Sequence, residues 1–367
     1  MKRWTTLACV GLTAAALTTS GAAVGASADT TAAAARPTID GFEGARGLDI
    51  GRTGRTVLAT SDGKVYRVTR TGKNAGDRRA IARVPAGFLA PAVAVANDNA
   101  VWILTVGADS PTDGHGTLFL KRPGKKKVEV RNIQRWVANH RRGVDPYDLE
   151  DSKQESNPYG VAAMPDGSAL VADAANNAVF RVTRSGRVQV VARVKPRTVL
   201  SPDFGGDPEM PPTGTPMPSE AVTTSVAVGP DGSVYIGELR GFPGTVDTSQ
   251  VWRVRPGERR AVCDPERPRR GECRRVADGL TSVVSLDTGL GGSIYVAELS
   301  KLGWLAMETG GPEAAIGSVI RIGHDRTVRR ELAAGEVVMP GAVAVTPGGN
   351  VWVSGPIFGP GGMMRVG

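Results

Sequence analysis

SNPYGVAAMPDGSALVADAANNAVFRV, residues 156–182, contains three apolar runs separated by a Pro-Asp-Gly turn and a short polar loop. Asp166-Gly167 brings the positive φ that a tight hairpin needs. The runs are apolar at successive positions rather than alternate ones, which marks strands covered on both faces. Working outward, weaker copies recur: SVAVGPDGSVYIGEL then VWRV at 225–254, SVVSLDTGLGGSIYVAEL then SVIRI at 282–322, and AVAVTPGGNVWVSG then MMRV at 342–366. Upstream lie GLDIGRTGRTVLATSDGKVYRV at 47–68 and AVAVANDNAVWIL then TLFL at 91–120. A fourth run follows most copies, at 79–84, 128–133, 188–194, 260–263 and 329–332.

Six such units, each needing cover on both sides, predict an all-β fold: a six-bladed β-propeller with four-stranded blades, one domain over 38–367. A β-sandwich would also cover both faces of its strands, but it needs no repeated unit. The last unit stops at Val366 after its third strand, and TIDGF at 38–42 belongs to no unit. The ring is therefore expected to close by this N-terminal strand completing the last blade.

The chain has 367 residues with 48 Gly, 25 Pro and only 7 Phe, as suits a turn-rich β protein. Lys2 and Arg3, an apolar run over 7–17 and Ala26-Ser27-Ala28 read as a secretory signal peptide over 1–28, with a flexible leader over 29–37. The protein is thus expected to be secreted. The leader's apolar run is too short and too rich in Thr and Ser to span a membrane, and no later stretch spans one. Cys9 leaves with the leader. Cys263 and Cys273, with DPERPRRGE between them and no His or third Cys nearby, predict a disulfide rather than zinc. The formal charge is +9, with basic clusters at 121–127, 141–142 and 267–275. These fall in turns without interleaved aromatics, so no nucleic-acid partner is expected. A monomer is expected.

Propeller connectivity sorts the loops. Those between second and third strands share a face with the blade-to-blade connections. The long insertions, at 106–116, 241–250, 300–317, 356–361, 135–155 and 196–222, all collect there. The other face carries short turns. Long loops gathered on one face predict a ligand site on it.

Asp173, Glu238 and Glu298 end the second strands of three consecutive units. Asn157, Thr224, Thr281 and Ser282 begin first strands on the same face, and Asn176 and Asn177 follow Asp173. These oxygens suit a calcium ion, with Asp173, Glu238 and Glu298 as metal ligands. The alternative is structural: each acid caps the next loop or pairs with Arg181, Arg253 or Arg321. Tyr159, Phe242, Trp304 and Phe358 add aromatic surface, which suits a sugar or small amphipathic ligand or else forms a core for the loops themselves. The candidate ligand-binding set is Asn157, Tyr159, Asp173, Asn176, Thr224, Glu238, Phe242, Thr281, Glu298 and Trp304. His115, His140 and His324 lack metal spacing, and no Ser sits in a nucleophile elbow.

NPYGVAAMPDGSALVADAANNAVFRV at 157–182, TSVAVGPDGSVYIGELRGFPGT at 224–245 and the later LTSVVSLDTGLGGSIYVAEL resemble repeats of the ScyD/ScyE family. VAD-x-x-N at 171–176 also resembles NHL repeats. The resemblance implies an exported, NHL-like, TolB-like six-bladed propeller. It brings no catalytic residues. The first two units lack the Pro-Asp-Gly turn, and the last has Gly355 where an acid would fall, so any ring of acids is partial. The expectation is a non-catalytic binding or scaffold protein for a small molecule, glycan or cell-envelope partner. The alternative is a calcium-dependent propeller hydrolase of the lactonase type.

Overall fold

The computed structural model describes residues 36–108, 112–140, 144–152 and 154–367. The expected signal peptide and nearly all of the leader lie outside the described residues. The fold is a six-bladed β-propeller of four-stranded antiparallel blades. The first blade is β2 (Leu48–Ile50), β3 (Thr56–Ala59), β4 (Lys64–Val68) and β5 (Arg78–Arg83). The second is β6 (Ala92–Val95), β7 (Val101–Leu104), β8 (Thr117–Lys121) and β9 (Lys127–Asn132). The third is β10 (Pro158–Ala163), β11 (Ala169–Asp173), β12 (Ala178–Val182) and β13 (Val188–Val194). The fourth is β16 (Thr223–Val228), β17 (Val234–Glu238), β18 (Ser249–Val254) and β20 (Cys273–Leu280). The fifth is β21 (Val283–Thr288), β22 (Ile294–Glu298), β23 (Ser318–Ile322) and β24 (Arg329–Leu332). In the sixth, β25 (Ala342–Val345), β26 (Val351–Gly355) and β27 (Pro360–Arg365) pair in sequence, and β1 (Thr38–Glu43) lies antiparallel to β27.

The two-sided burial read from the sequence has a direct cause: each blade packs against two neighbours. Trp102 and Leu118 meet Val171 and Phe180 between the second and third blades. Leu170 and Val179 meet Ile236 and Trp252 between the third and fourth. Leu48 and Leu58 meet Ala344 and Trp352 where the last blade meets the first. Gly167 takes φ +83° in the Pro-Asp-Gly turn of the third blade. Gly160 serves a different need, since a Cβ there would run into the Thr224 carbonyl of the adjacent inner strand.

One strand assignment is corrected. The run 260–263, expected as the outer strand of the fourth blade, is β19 (Ala261–Cys263), which adds parallel to β13 of the third. The fourth blade takes β20 as its outer strand instead, in antiparallel register with β18. The chain crosses to the neighbouring edge because β19 satisfies the open edge of β13. The Cys263–Cys273 bridge, with Cα atoms 4.9 Å apart, then ties the outer rims of two blades. A small hairpin, β14 (Arg197–Leu200) with β15 (Pro216–Ser219), and two short helices, α1 (Ile133–Ala138) and α2 (Trp304–Thr309), fill the insertions. No helix among the described residues is long and apolar enough to cross a membrane.

Replacing Cys263 and Cys273 together by Ser should lower the free energy of unfolding by about 3 kcal/mol, the loop-entropy value for a short closed loop. Urea melts with and without reductant check this. Equal stability of the oxidised protein and the double variant would show that the rim tie contributes nothing.

Candidate functional site

The six inner strands leave a cavity of about 190 Å³ along the axis, lined by residues of all six. At one end stand Arg46 and Tyr159; at the other, Arg52, Asn97 and Pro165 belong to the short-turn face and are exposed. At the Arg46 end, Tyr159 joins a cluster built from the long loops, including Leu89, Trp304, Leu305, Met339, Ile357 and Phe358. Side chains of the long loops therefore pack over the Arg46 end of the axis, while residues of the short-turn face at the other end of the cavity are exposed.

Two acids line the cavity. Asp49 of β2 and Asp287 of β21 occupy equivalent inner-strand positions, where the other blades carry Ala94, Ala162, Ala227 and Ala344. Each carboxyl is held by backbone N–H groups. Asp49 accepts from Ile50 at 2.7 Å and from Val95 of the next blade at 2.6 Å. Asp287 accepts from Thr288 at 2.7 Å and from Val345 of its next blade at 2.7 Å. Burial pushes Asp49 up to about 6, against the pull of its two N–H donors. Burial, together with the charge of Asp49, pushes Asp287 up to about 7. Asp49 therefore ionises first, and its charge delays Asp287. Two carboxyls of unequal acidity beside one cavity are the arrangement that a paired general base and acid requires.

The sequence-nominated residues divide. Tyr159 and Thr224 line the axial cavity. Thr281 and Glu298 line a separate cleft of about 280 Å³ beside Lys301, Arg329 and Glu331. The remaining residues serve their own loops. Asp173 is buried and accepts from Ser156 Oγ at 2.5 Å, Asn157 N at 2.9 Å and Asn176 N at 3.2 Å. Glu238 is buried against Arg240, and it also accepts from the Trp252 indole. Glu298 accepts from Thr281 N at 2.7 Å and Ser318 Oγ at 2.5 Å. Burial raises the pKa of Asp173 and Glu298 above the ordinary range, with these donors opposing. Phe242 stacks on Phe204, with ring centroids 5.9 Å apart, and the Trp304 indole donates to Arg240 O at 2.9 Å. Asn177 bridges Asp145 at 2.9 Å and Glu220 at 2.5 Å, and burial brings Glu220 to about 7.

Calcium at Asp173, Glu238 and Glu298 does not fit. Each acid is engaged within its own blade, and no group of three or more His, Cys, Asp or Glu side chains among the described residues is gathered to hold a metal ion. Of the two structural alternatives, the acids hold neighbouring loop segments and do not pair with Arg181 or Arg253. Both arginines sit at the short-turn end of their third strands, where they pair with Asp166 and Asp231 of the turns. The third strand runs back toward that face, so its Arg approaches the turn acid rather than the second-strand acid.

No protein-family model and no curated sequence matches the chain. Solved structures do. An aldose sugar dehydrogenase of Streptomyces coelicolor, in its PQQ-bound form, is similar at 14% identity over 89% of this chain and 95% of its own, with TM-score 0.52. A gluconolactonase of Xanthomonas campestris is similar at 11% identity over 90% and 88%, with TM-score 0.53. A calcium-binding regucalcin of Agrobacterium tumefaciens is similar at 12% identity over 91% and 95%, with TM-score 0.51. At these identities the likeness establishes the six-bladed propeller fold. It also overturns the expectation of a non-catalytic scaffold, which rested on finding no catalytic set: propellers of this architecture include a sugar dehydrogenase and a gluconolactonase.

A raised carboxyl pKa destabilises the fold at high pH. The folded state holds protons that the unfolded chain releases near pH 4, so the stability these groups contribute is complete below pH 4 and is lost as pH rises through 6 to 7. Urea unfolding at pH 5 and pH 8 should therefore show a steeper loss for the wild type than for the D49N/D287N double variant, by on the order of a few kcal/mol. Parallel pH profiles would remove the two carboxyls from the account.

Proposed function

We propose that the chain is an exported hydrolase of small, oxygen-rich ring esters, with the reaction in the axial cavity. The observation that carries this reading is the Asp49–Asp287 pair, two half-buried carboxyls that line one cavity and are pushed toward neutrality by loss of hydration. In this reading Asp49, as carboxylate, takes a proton from a water whose oxygen bonds to the ester carbon. The ring C–O bond breaks, and the ring oxygen takes the proton held by Asp287. Lactone and water become a hydroxy acid, and a proton passing from Asp49 to Asp287 restores the pair. The cavity, below the roughly 300 Å³ of common ligand pockets, suits a substrate of single-ring size.

The gluconolactonase among the similar folds supports a lactone-class substrate, and the ScyD/ScyE-like motifs with the leader sequence support export. Calcium enters no step, because the acids nominated for it are each held elsewhere. A quinone-dependent sugar oxidation gains no support from the site, since His115, His140 and His324 do not line the cavity.

The test is hydrolysis of a panel of five- and six-membered sugar lactones, followed by proton release at constant pH. The wild type should open at least one, and D287N should lose about 100-fold or more in rate. A wild type inert to the whole panel, or a D287N variant with wild-type rates, would refute the proposal.

A further inference from the structure

Arg46 stands at the inner end of the axial cavity and is only 3% exposed. Its two terminal nitrogens donate to Ala90 O at 2.8 Å and Tyr159 O at 2.7 Å. Its guanidinium carbon lies 4.1 Å from the centre of the Tyr159 ring. Its Nε–H has no acceptor. Of five N–H donors two are used, and both meet neutral carbonyls. Among the described residues no carboxylate pairs with Arg46. The other deeply buried guanidinium, Arg240, closes onto Glu238. A buried cation without a counter-charge is among the costlier features a fold can carry, and here the backbone and Tyr159 hold it rigidly in place. The other charged or titratable side chains around the cavity are Asp49, Arg52, Tyr159 and Asp287. Arg46 precedes Asp49 by three residues, and extended backbone of that length sets Cα atoms about 10 Å apart.

We propose that Arg46 is an anion-binding group, and that the cavity takes a small carboxylate bearing hydroxyl groups. The planar fork matches a carboxylate, and the carboxyls at the far end accept from hydroxyls. This reading stands on Arg46 and the cavity, whether or not the acids cleave a ring ester. If they do, the hydroxy acid produced is itself the ligand that Arg46 holds.

Calorimetric titration of the purified chain with sodium gluconate tests it, with glucose and inorganic phosphate as controls. Saturable gluconate binding is expected in the wild type, at least tenfold weaker in R46Q and absent with glucose, with phosphate weaker than gluconate. No saturable binding, equal binding by R46Q, or binding of glucose as tight as gluconate would overturn the anion site. Tighter binding of phosphate would overturn the choice of a carboxylate. If R46Q does not fold, spectra of the ¹⁵N-arginine-labelled wild type replace it: the Arg46 Nε–H signal should move on adding gluconate, and a stationary signal refutes the site. The wild type separates the two readings: gluconate binding without opening of any lactone keeps the anion site and sinks the hydrolase, and lactone opening without gluconate binding does the reverse.

Discussion

Each blade must bury both of its faces against neighbours, and this constraint draws the six inner strands together around one axis. Side chains there have little room. Four blades place Ala one residue before the short-turn end of the inner strand, and Gly160 is needed because the next inner strand passes so close. An acid at that position is an exception with an energetic cost, since a carboxylate out of water loses its hydration. The ring offsets part of the cost with backbone N–H groups of the following blade, Val95 for Asp49 and Val345 for Asp287. The acids therefore stitch blades together while remaining poised to exchange protons. The bonds serve the first role; burial, which the bonds oppose, sets the second.

The long-loop face has the opposite character. Its insertions bring aromatic and aliphatic side chains that pack on one another, so the loops form a cover over the Arg46 end of the axis. Trp304 anchors α2 by donating to the Arg240 carbonyl, and Glu238 holds Arg240 from below. Breaking such a buried pair by removing one partner costs about 3–5 kcal/mol, because the other charge stays behind. Glu238 is thus accounted for by loop structure. Asp173 and Glu298, which accept from the segments that start their own blades, have the same kind of role.

The fold was legible because the repeat states it several times. A Gly at the turn, two-sided apolar strands and V-x-R-V recur with enough fidelity that one blade defines the others. The error at 260–263 arose where a disulfide hairpin interrupts the pattern, and edge pairing, which is not local, decided the strand's partner. The site was less legible. Asp49 and Asp287 stood in view in GLDI and SLDT, as acids where the other copies have Ala. Loop length drew attention to the long-loop face, where side chains of the loops occupy much of the space and a cleft remains at Thr281 and Glu298. Arg46 lies just before an inner strand and carries no motif. Only the ring shows that it is buried without a carboxylate.

The account depends on two carboxyls that share the axis and release their protons near neutrality. The direct measurement is carbon NMR of the aspartate carboxyls, with Asp49 and Asp287 assigned through D49N and D287N, followed from pH 3 to pH 9. The account predicts two titrations near 6 and 7, with the Asp287 midpoint falling when Asp49 is replaced. Midpoints near 4 for both, or an Asp287 midpoint indifferent to Asp49, would contradict it.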